Sequence, residues 1–202
     1  MVHRRSRRQI RQSTRLASRT PKGYCVNLPT TLTIFRIVLV APVMILIFMD
    51  NLPAEIATIV CFTVAALTDK IDGQLARKNH QVTDFGAFLD PLADKMLINL
   101  VFLAFTALNL MPLWMFAVIL IRDFTVDGMR IMAAKKGTVI PANIFGKVKT
   151  TVQMITIISI LLNRILNLEP LAIINIVLLY IVIFLTIISG IIYLVRGRKL
   201  LK

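Results

Sequence analysis

The chain has 202 residues, of which 57% are hydrophobic and 17% charged, and its mean hydropathy is +0.78. A soluble domain of this length carries about a quarter charged residues, so the composition argues against an ordinary soluble protein and predicts one integral membrane domain. The net charge is +14, and the first 49 residues contain nine Arg and Lys and no acid.

Residues 1–26 form a basic tail that is rich in Arg and Ser and has no apolar period. We expect this tail to be disordered or loosely attached to the lipid surface, and the membrane domain to occupy residues 27–202. Lys and Arg collect on the cytoplasmic side of membrane proteins, so the tail indicates topology and contact with anionic lipid, and no nucleic-acid partner is expected. Cys25 and Cys61 have neither disulfide-framework nor metal-site spacing.

Six apolar segments follow the tail. A helix needs about 20 residues to span a bilayer, so we predict an all-α integral membrane fold with six transmembrane helices. Pro42 and Pro91 fall inside two of these segments, where they are expected to kink or locally unwind the helix. The approximate segments are 30–49, 54–76, 85–108, 111–133, 146–163 and 170–195.

Charged residues lie near one end of each of the first five segments, and that end alternates along the chain. If consecutive helices alternate in direction, all these charges lie on one side of the membrane, where we expect a polar cavity. The opposite turns hold Asp50, Glu55, Arg164 and Glu169, which are one base and three acids. By the positive-inside rule the cavity and both termini face the cytoplasm of a multi-pass protein of the cell membrane.

Four aspartates lie within the second and third segments. Asp69 and Asp72 are three residues apart, and Asp90 and Asp94 are four apart, so each pair shares one helix face. Carboxylates are costly in or near hydrocarbon and need a reason to be there. Two such faces that meet would form an oxygen cage suited to Mg²⁺ or Mn²⁺, and one carboxylate without a metal could take a proton from an attacking hydroxyl.

Small and basic residues accompany these aspartates. Gly73 and Gly86 remove side chains where a nucleotide or pyrophosphate would approach the backbone, and Arg77 offers a fork of donors to phosphate oxygens. Together with the predicted cation site, they point to phosphate chemistry at a membrane surface.

The full string resembles the signature of the CDP-alcohol phosphotransferase family, with every fixed position matched. The string is Asp69-x2-Asp72-Gly73-x2-Ala76-Arg77-x8-Gly86-x3-Asp90-x3-Asp94. The resemblance implies a six-helix membrane enzyme with a cytoplasm-facing site, which transfers a phosphatidyl or related group from a CDP-linked donor to an alcohol and releases CMP. A tendency to form homodimers is implied as well.

The same resemblance assigns roles to the residues of the string. Divalent metal would be held by Asp69, Asp72, Asp90 and Asp94, and Asp94 would also be the catalytic base. The CDP donor would be bound by Asp69, Gly73, Ala76, Arg77 and Gly86.

Other stretches resemble the branch of this family that uses CDP-diacylglycerol and glycerol 3-phosphate. They are Asn27-Leu28-Pro29 with Thr33 and Arg36, Asp90–Lys95, Arg122-Asp123-Phe124-x3-Gly128-Met129-Arg130 and Gly146–Thr150. Glycerol 3-phosphate is a dianion near neutral pH, which basic side chains suit. The predicted ligands of its phosphate are Arg36, Arg122, Arg130, Lys147 and Lys149. The chain departs from the branch at Asp127, where a small polar residue is usual and which the sequence places beside Arg122.

Several alternatives stay open from the sequence. Another enzyme of the same family would use inositol phosphate or phosphatidylglycerol as the acceptor. A membrane prenyltransferase also uses Asp-bound Mg²⁺, but it would need more spans and gives no reason for Gly73, Arg77 and Gly86. A divalent-cation transporter would place its carboxylates near the bilayer midplane, whereas here they cluster towards one edge.

Overall fold

The structure is a computed structural model that describes the backbone of residues 28–79, 84–135 and 144–201 and the side chains of residues 35, 37–67, 95–133 and 144–197. Within these ranges the chain is all-helical and forms six helices, as the apolar segments predicted. They are α1 Leu28–Ile47, α2 Leu52–Asn79, α3 Asp84–Ala107, α4 Leu113–Lys135, α5 Ile144–Leu166 and α6 Glu169–Leu201. The basic tail 1–26 lies outside the described residues.

Short connections make successive helices antiparallel. Only residues 48–51 join α1 to α2, residues 108–112 join α3 to α4, and residues 167–168 join α5 to α6. Asn51 caps α2, since its Oδ1 accepts a hydrogen bond of 2.9 Å from the Ala54 amide. Asn109 and Asn167 end α3 and α5 in the left-handed conformation, with φ of 59° and 48°, which asparagine tolerates at helix ends.

The core lies where α1 packs on α2 and α3, and where α5 packs on α2 and α6. Phe62, Phe102, Phe105, Ile119 and Ile157 are fully buried there, and the rings of Phe102 and Phe105 meet edge to face at 6.2 Å. Lipid is as apolar as these side chains, so in a membrane the close fit and dispersion contacts hold the helices together more than the removal of apolar surface from water.

Hydroxyl side chains within the described helices find partners close by. The hydroxyls of Thr58, Thr106, Thr125, Thr156 and Thr186 each donate to the carbonyl four residues earlier, at 2.6 to 3.0 Å. Ser159 of α5 donates to Asn175 Oδ1 of α6 at 2.6 Å. A hydrocarbon environment offers no water to such groups, so this local pairing suits a membrane helix.

Apolar side chains cover much of the outer surface. On α6 alone, Ile173 is 65% exposed and Phe184 is 63% exposed, an exposure that suits contact with lipid. In the part of the chain that is described, Ile144–Leu166 and Glu169–Gly197 are long and apolar enough to cross a membrane, with mean hydropathies of 1.4 and 3.0. Shorter apolar helical stretches are Ile37–Ile47, Leu52–Leu67 and Lys95–Ala107. The fold is therefore all-helical, with two helices in the described part of the chain that could cross a membrane.

The two prolines do not unwind their helices. α1 continues through Pro42 and α3 continues through Pro91, so the expected local unwinding does not occur. A kink at either position stays a prediction.

Candidate functional site

One end of the bundle is marked by Arg164, in the last turn of α5. Its Nη1 donates to the carbonyl of Ile47 at 2.7 Å, and its Nη2 lies 3.2 Å from Glu55 Oε1. The end of α1, the start of α2 and the end of α5 therefore meet here. We call this region the Arg164 end.

Charged residues that the sequence analysis placed on one side of the membrane lie together at the other end of the bundle. Lys95 of α3 pairs with Asp127 of α4, Lys149 of α5 pairs with Asp123 of α4, and Arg130 of α4 bonds to α6. The first half of α3, the second half of α4, the start of α5 and the end of α6 thus meet at this end. We call it the Asp123 end, and for these described residues the one-sided charge distribution is confirmed.

Asp123 lies at the centre of the buried charges there. Its Oδ1 accepts a hydrogen bond of 2.6 Å from Lys149 Nζ and one of 2.9 Å from Arg122 Nη1. Lys149 is only 1% exposed and Asp123 only 6% exposed. One carboxylate oxygen therefore fixes two cations away from bulk water, which strengthens both interactions.

Tyr193 connects a third cation to this group. Its hydroxyl accepts a hydrogen bond of 2.8 Å from Arg130 Nη2. The guanidinium carbons of Arg122 and Arg130 lie 5.6 and 5.3 Å from its ring centroid, within the range of cation–π attraction. We refer to Arg122, Asp123, Arg130, Lys149 and Tyr193 together as the Asp123 cluster.

Two glycines let neighbouring helices approach Arg122. A Cβ atom on Gly190 of α6 would lie 3.2 Å from Arg122 Cγ, which is tighter than ordinary contact. A Cβ atom on Gly146 of α5 would lie 3.7 Å from Arg122 Nη2. Gly190 therefore sets how closely α6 packs against the stem of Arg122.

An apolar cleft reaches Arg122 from the outer surface of the bundle. It lies between α4 and α6 and has a volume of about 260 Å³. The surface that lines it is almost entirely apolar and includes the exposed side chains of Ile121, Ile187 and Ile191. The Asp123 cluster is thus bordered by a surface that suits hydrocarbon.

Three of the five predicted phosphate ligands are brought together, namely Arg122, Arg130 and Lys149. Lys147 is exposed and precedes Lys149 by two residues, which places it on another side of α5. The side chain of Arg36 lies outside the described residues. The binding role of all five stays a prediction.

Sequence reasoning left three features of this region unassigned. Asp127 was expected beside Arg122, but it pairs with Lys95, and the partner of Arg122 is Asp123. Asp123 was named only within the stretch that begins Arg122-Asp123-Phe124 and was given no role. Tyr193 was not singled out, since only its place near the end of a long apolar segment sets it apart in the sequence.

The four aspartates of the signature lie on α2 and α3, which we call the aspartate helices. Asp69 on α2 lies at the same level as the Asp123 cluster. Asp69 follows Glu55 by 14 residues in α2, and Lys149 precedes Arg164 by 15 residues in α5. Since Glu55 and Arg164 are in contact, helical rises of about 21 and 22 Å bring Asp69 and Lys149 to matching heights. α2 and α5 also pack against each other.

The other half of the signature lies on α3, which begins at the Asp123 end. Asp90 and Asp94 occupy its second and third turns, just before Lys95, whose partner Asp127 belongs to α4. The side chains of the four aspartates and of Gly73, Ala76, Arg77 and Gly86 lie outside the described residues. Among the side chains that are described, no three of His, Cys, Asp and Glu lie close enough to hold a metal ion.

An all-helical domain with the complete aspartate signature at the level of a basic cluster fits a transferase of phosphate-linked groups. The family model described as CDP-alcohol phosphatidyltransferase matches residues 26–188, and the chain therefore belongs to this family.

Curated relatives carry a more specific name, CDP-diacylglycerol–glycerol-3-phosphate 3-phosphatidyltransferase. The Bacillus subtilis protein is 35% identical over 192 residues, which cover 87% of this chain and 97% of that protein. The Rickettsia bellii protein is 37% identical over 175 residues, covering 86% and 96%. The Mycoplasma pneumoniae protein is 37% identical over 157 residues, covering 69% of each.

Proposed function

We propose that this protein transfers the phosphatidyl group of CDP-diacylglycerol to glycerol 3-phosphate, forming phosphatidylglycerophosphate and CMP. The observation that carries the proposal is the similarity, over 87% of the chain, to a Bacillus subtilis protein named for that reaction. The Asp123 cluster supports it, because it supplies fixed cations for an anionic acceptor at the level of the aspartate helices.

The proposed topology has six transmembrane helices in the cell membrane, with both termini and a polar cavity on the cytoplasmic side. The Asp123 end would face the cytoplasm, since the described charges there include Lys95, Arg122, Arg130 and Lys149. The Arg164 end pairs its single described base with an acid. Donor acyl chains would stay in the bilayer while the phosphates reach the cavity.

The proposed cofactor is Mg²⁺ or Mn²⁺, held by Asp69, Asp72, Asp90 and Asp94. The chemistry of the donor set fits such a hard cation, because all four residues offer carboxylate oxygens and the other residues of the signature are Gly, Ala and Arg. When bound, the cation supplies positive charge that neutralises the phosphoryl group and orients it for displacement.

The chain's own residues perform the remaining steps. Gly73, Ala76 and Gly86, with Asp69, bind the CDP moiety, and Arg77 donates hydrogen bonds to its phosphates. The Asp94 carboxylate takes the proton of the free hydroxyl of glycerol 3-phosphate as its oxygen attacks the phosphorus that bears diacylglycerol. The bond from that phosphorus to the CMP oxygen breaks, and CMP leaves.

The acceptor phosphate is proposed to bind at the Asp123 cluster. Arg122, Arg130 and Lys149 carry three positive charges and Asp123 one negative charge, which leaves two to match a phosphate dianion. Within the described side chains, the buried Nε of Arg122 makes no hydrogen bond, so it can still donate to a phosphate oxygen. Lys147 and Arg36 are proposed as outer ligands, and a homodimer is expected from the family resemblance.

The test is CMP release by the purified protein from CDP-diacylglycerol with Mg²⁺ or Mn²⁺ and a panel of alcohols. We expect release with glycerol 3-phosphate, and little with inositol phosphate or phosphatidylglycerol. Preference for either of those alcohols would mean that the acceptor is not glycerol 3-phosphate, while the transfer from a CDP-linked donor would still hold. Uptake of divalent cations into proteoliposomes without CMP release would instead favour a transporter.

A further inference from the structure

Asp123 has a geometry that differs from that of an ordinary structural ion pair. Its Oδ1 alone accepts from both Lys149 Nζ and Arg122 Nη1. At the Arg164 end, by contrast, one cation meets one carboxylate and a backbone carbonyl. The Asp123 carboxylate therefore holds more positive charge than it neutralises.

Lys149 depends on this carboxylate for its position and its charge. An ammonium on a four-carbon stem is flexible, and one buried without a counter-charge is driven towards its neutral form. Lys149 is almost fully buried, and Asp123 is its hydrogen-bond partner among the described side chains. Without Asp123, Lys149 would turn towards water or lose its proton, and in either case it would bind an anion less well.

Arg122 depends on Asp123 for its orientation. The bond from Nη1 to Asp123 fixes one edge of the guanidinium, and the ring of Tyr193 lies below it at 5.6 Å. The remaining donors, including the buried Nε, are then held in a fixed direction. A prearranged fork of donors binds phosphate with a smaller loss of side-chain entropy.

We propose that Asp123 is a positioning residue for the acceptor phosphate, which holds Lys149 and Arg122 in place and sets the cluster's charge to match a dianion. This role rests on the proposed transfer to glycerol 3-phosphate. It makes Asp123 necessary for acceptor binding, although a carboxylate by itself repels the acceptor.

The first test compares Asp123→Asn with the wild-type protein in steady-state kinetics. We expect KM for glycerol 3-phosphate to rise about tenfold, because hydrogen bonds to two charged groups are weakened, while KM for CDP-diacylglycerol changes less than about twofold. Asp123→Glu, which keeps the charge, should recover part of the loss. Equal rises in both KM values, or a fall in kcat alone, would overturn the positioning role.

The matched control is Glu55→Gln at the Arg164 end. It makes the same change of carboxylate to amide in an ion pair of similar burial, with side-chain exposures of 12% and 13% against 8% and 12% for Asp123 and Arg122. Both variants should lower the unfolding temperature, but only Asp123→Asn should raise KM for glycerol 3-phosphate. A rise of the same size in Glu55→Gln would mean that loss of stability explains the effect.

A double-mutant cycle with Lys149→Met separates a positioning role from an independent one. Removing both buried charges also avoids an unpaired Lys149 if Asp123→Asn alone fails to fold. We expect Asp123→Asn to raise KM for glycerol 3-phosphate by a smaller factor when Lys149 is already Met. The same factor in both backgrounds would show that Asp123 does not act through Lys149.

A binding measurement distinguishes failure of this role from failure of the proposed function. Glycerol 3-phosphate should raise the unfolding temperature of the wild-type protein, and should raise it less in Asp123→Asn. If the wild-type protein releases no CMP with this acceptor, the proposed function fails. If it does, and both KM and the temperature shift are unchanged in Asp123→Asn, only the role of Asp123 is overturned.

Discussion

The two ends of the helix bundle hold their buried charges in different proportions. At the Arg164 end, a single arginine is matched by Glu55 and by the carbonyl of Ile47. At the Asp123 end, Arg122 and Lys149 share one buried carboxylate, Arg130 lies nearby on Tyr193, and a buried Arg122 donor is left over within the described side chains. A balanced pair ties helices together, whereas an excess of fixed charge is expected where a ligand of opposite sign binds.

Counting ion pairs would not reveal this difference in charge balance, because both ends of the bundle contain such pairs. Each end joins three or more helices, and the ion pairs of Asp123 and of Glu55 are at most 13% exposed. Among the described side chains the two ends differ in charge balance, since Arg164 has a carboxylate partner of its own whereas Arg122 and Lys149 share one. Substitutions at the two ends should therefore separate stability from substrate binding.

The largest effect is expected at the proposed base. Asp94→Asn removes the group that takes the acceptor's proton, and should lower the rate of CMP release by about a thousandfold or more while the helical content is kept. The exposed acid Asp50, near the Arg164 end, gives the control variant Asp50→Asn, which should turn over normally. Near-normal turnover in Asp94→Asn would remove its assigned role.

The second prediction compares two arginines. Arg122→Ala should raise KM for glycerol 3-phosphate by about thirtyfold and KM for CDP-diacylglycerol much less. The reason is that it deletes a largely buried side chain proposed to donate hydrogen bonds to the acceptor phosphate. Arg164→Ala should instead reduce the free energy of unfolding by about 3 kcal/mol, since it leaves Glu55 buried and unpaired, without changing either KM. Steady-state kinetics and thermal unfolding of both variants check this contrast, and equal effects on both substrates in Arg122→Ala would contradict acceptor binding.

A smaller effect is expected from Gly190→Ala. The added methyl would press on Arg122 Cγ, so KM for glycerol 3-phosphate should rise about threefold with the charges unchanged. Gly128→Ala is the matched control on α4, since a Cβ atom there meets nothing within 4 Å. Steady-state kinetics of the two variants test whether the methyl acts through Arg122. An equal change of KM in Gly128→Ala would show that it does not.

The smallest effect is expected from Lys147→Ala. This lysine is exposed on α5, so its attraction for the acceptor is screened by water and salt. KM for glycerol 3-phosphate should rise about twofold at low ionic strength and hardly at all at high ionic strength. A larger and salt-independent rise would place Lys147 within the inner phosphate site.

The six helices were predictable because each coincides with a long apolar run of the sequence, whereas a membrane span by all six stays a prediction. The gathering of charges at one end was also predictable, since it needs only alternating helix direction. The choice of partners was not, because it depends on which helix faces pack together. Asp123 and Asp127 both lie at the end of one segment, and only the folded arrangement of the helices brings Lys149 of α5 to the first and Lys95 of α3 to the second.

Tyr193 and Gly190 illustrate the same limit. In the sequence they are ordinary residues of a long apolar segment. Their roles appear only when α6 packs on α4, so that the ring meets Arg122 and Arg130 and the glycine makes room for the Arg122 stem. A pattern along one helix cannot show a contact that the neighbouring helix creates.

The central claim is that the aspartate helices and the Asp123 cluster form one site. It is tested most directly by the ³¹P relaxation of glycerol 3-phosphate in the presence of the protein and Mn²⁺, without the lipid donor. We predict strong paramagnetic enhancement in the wild-type protein that is lost in both Asp72→Asn and Arg122→Ala. Enhancement that persists in Arg122→Ala, or its absence while Mn²⁺ is bound, would contradict the account.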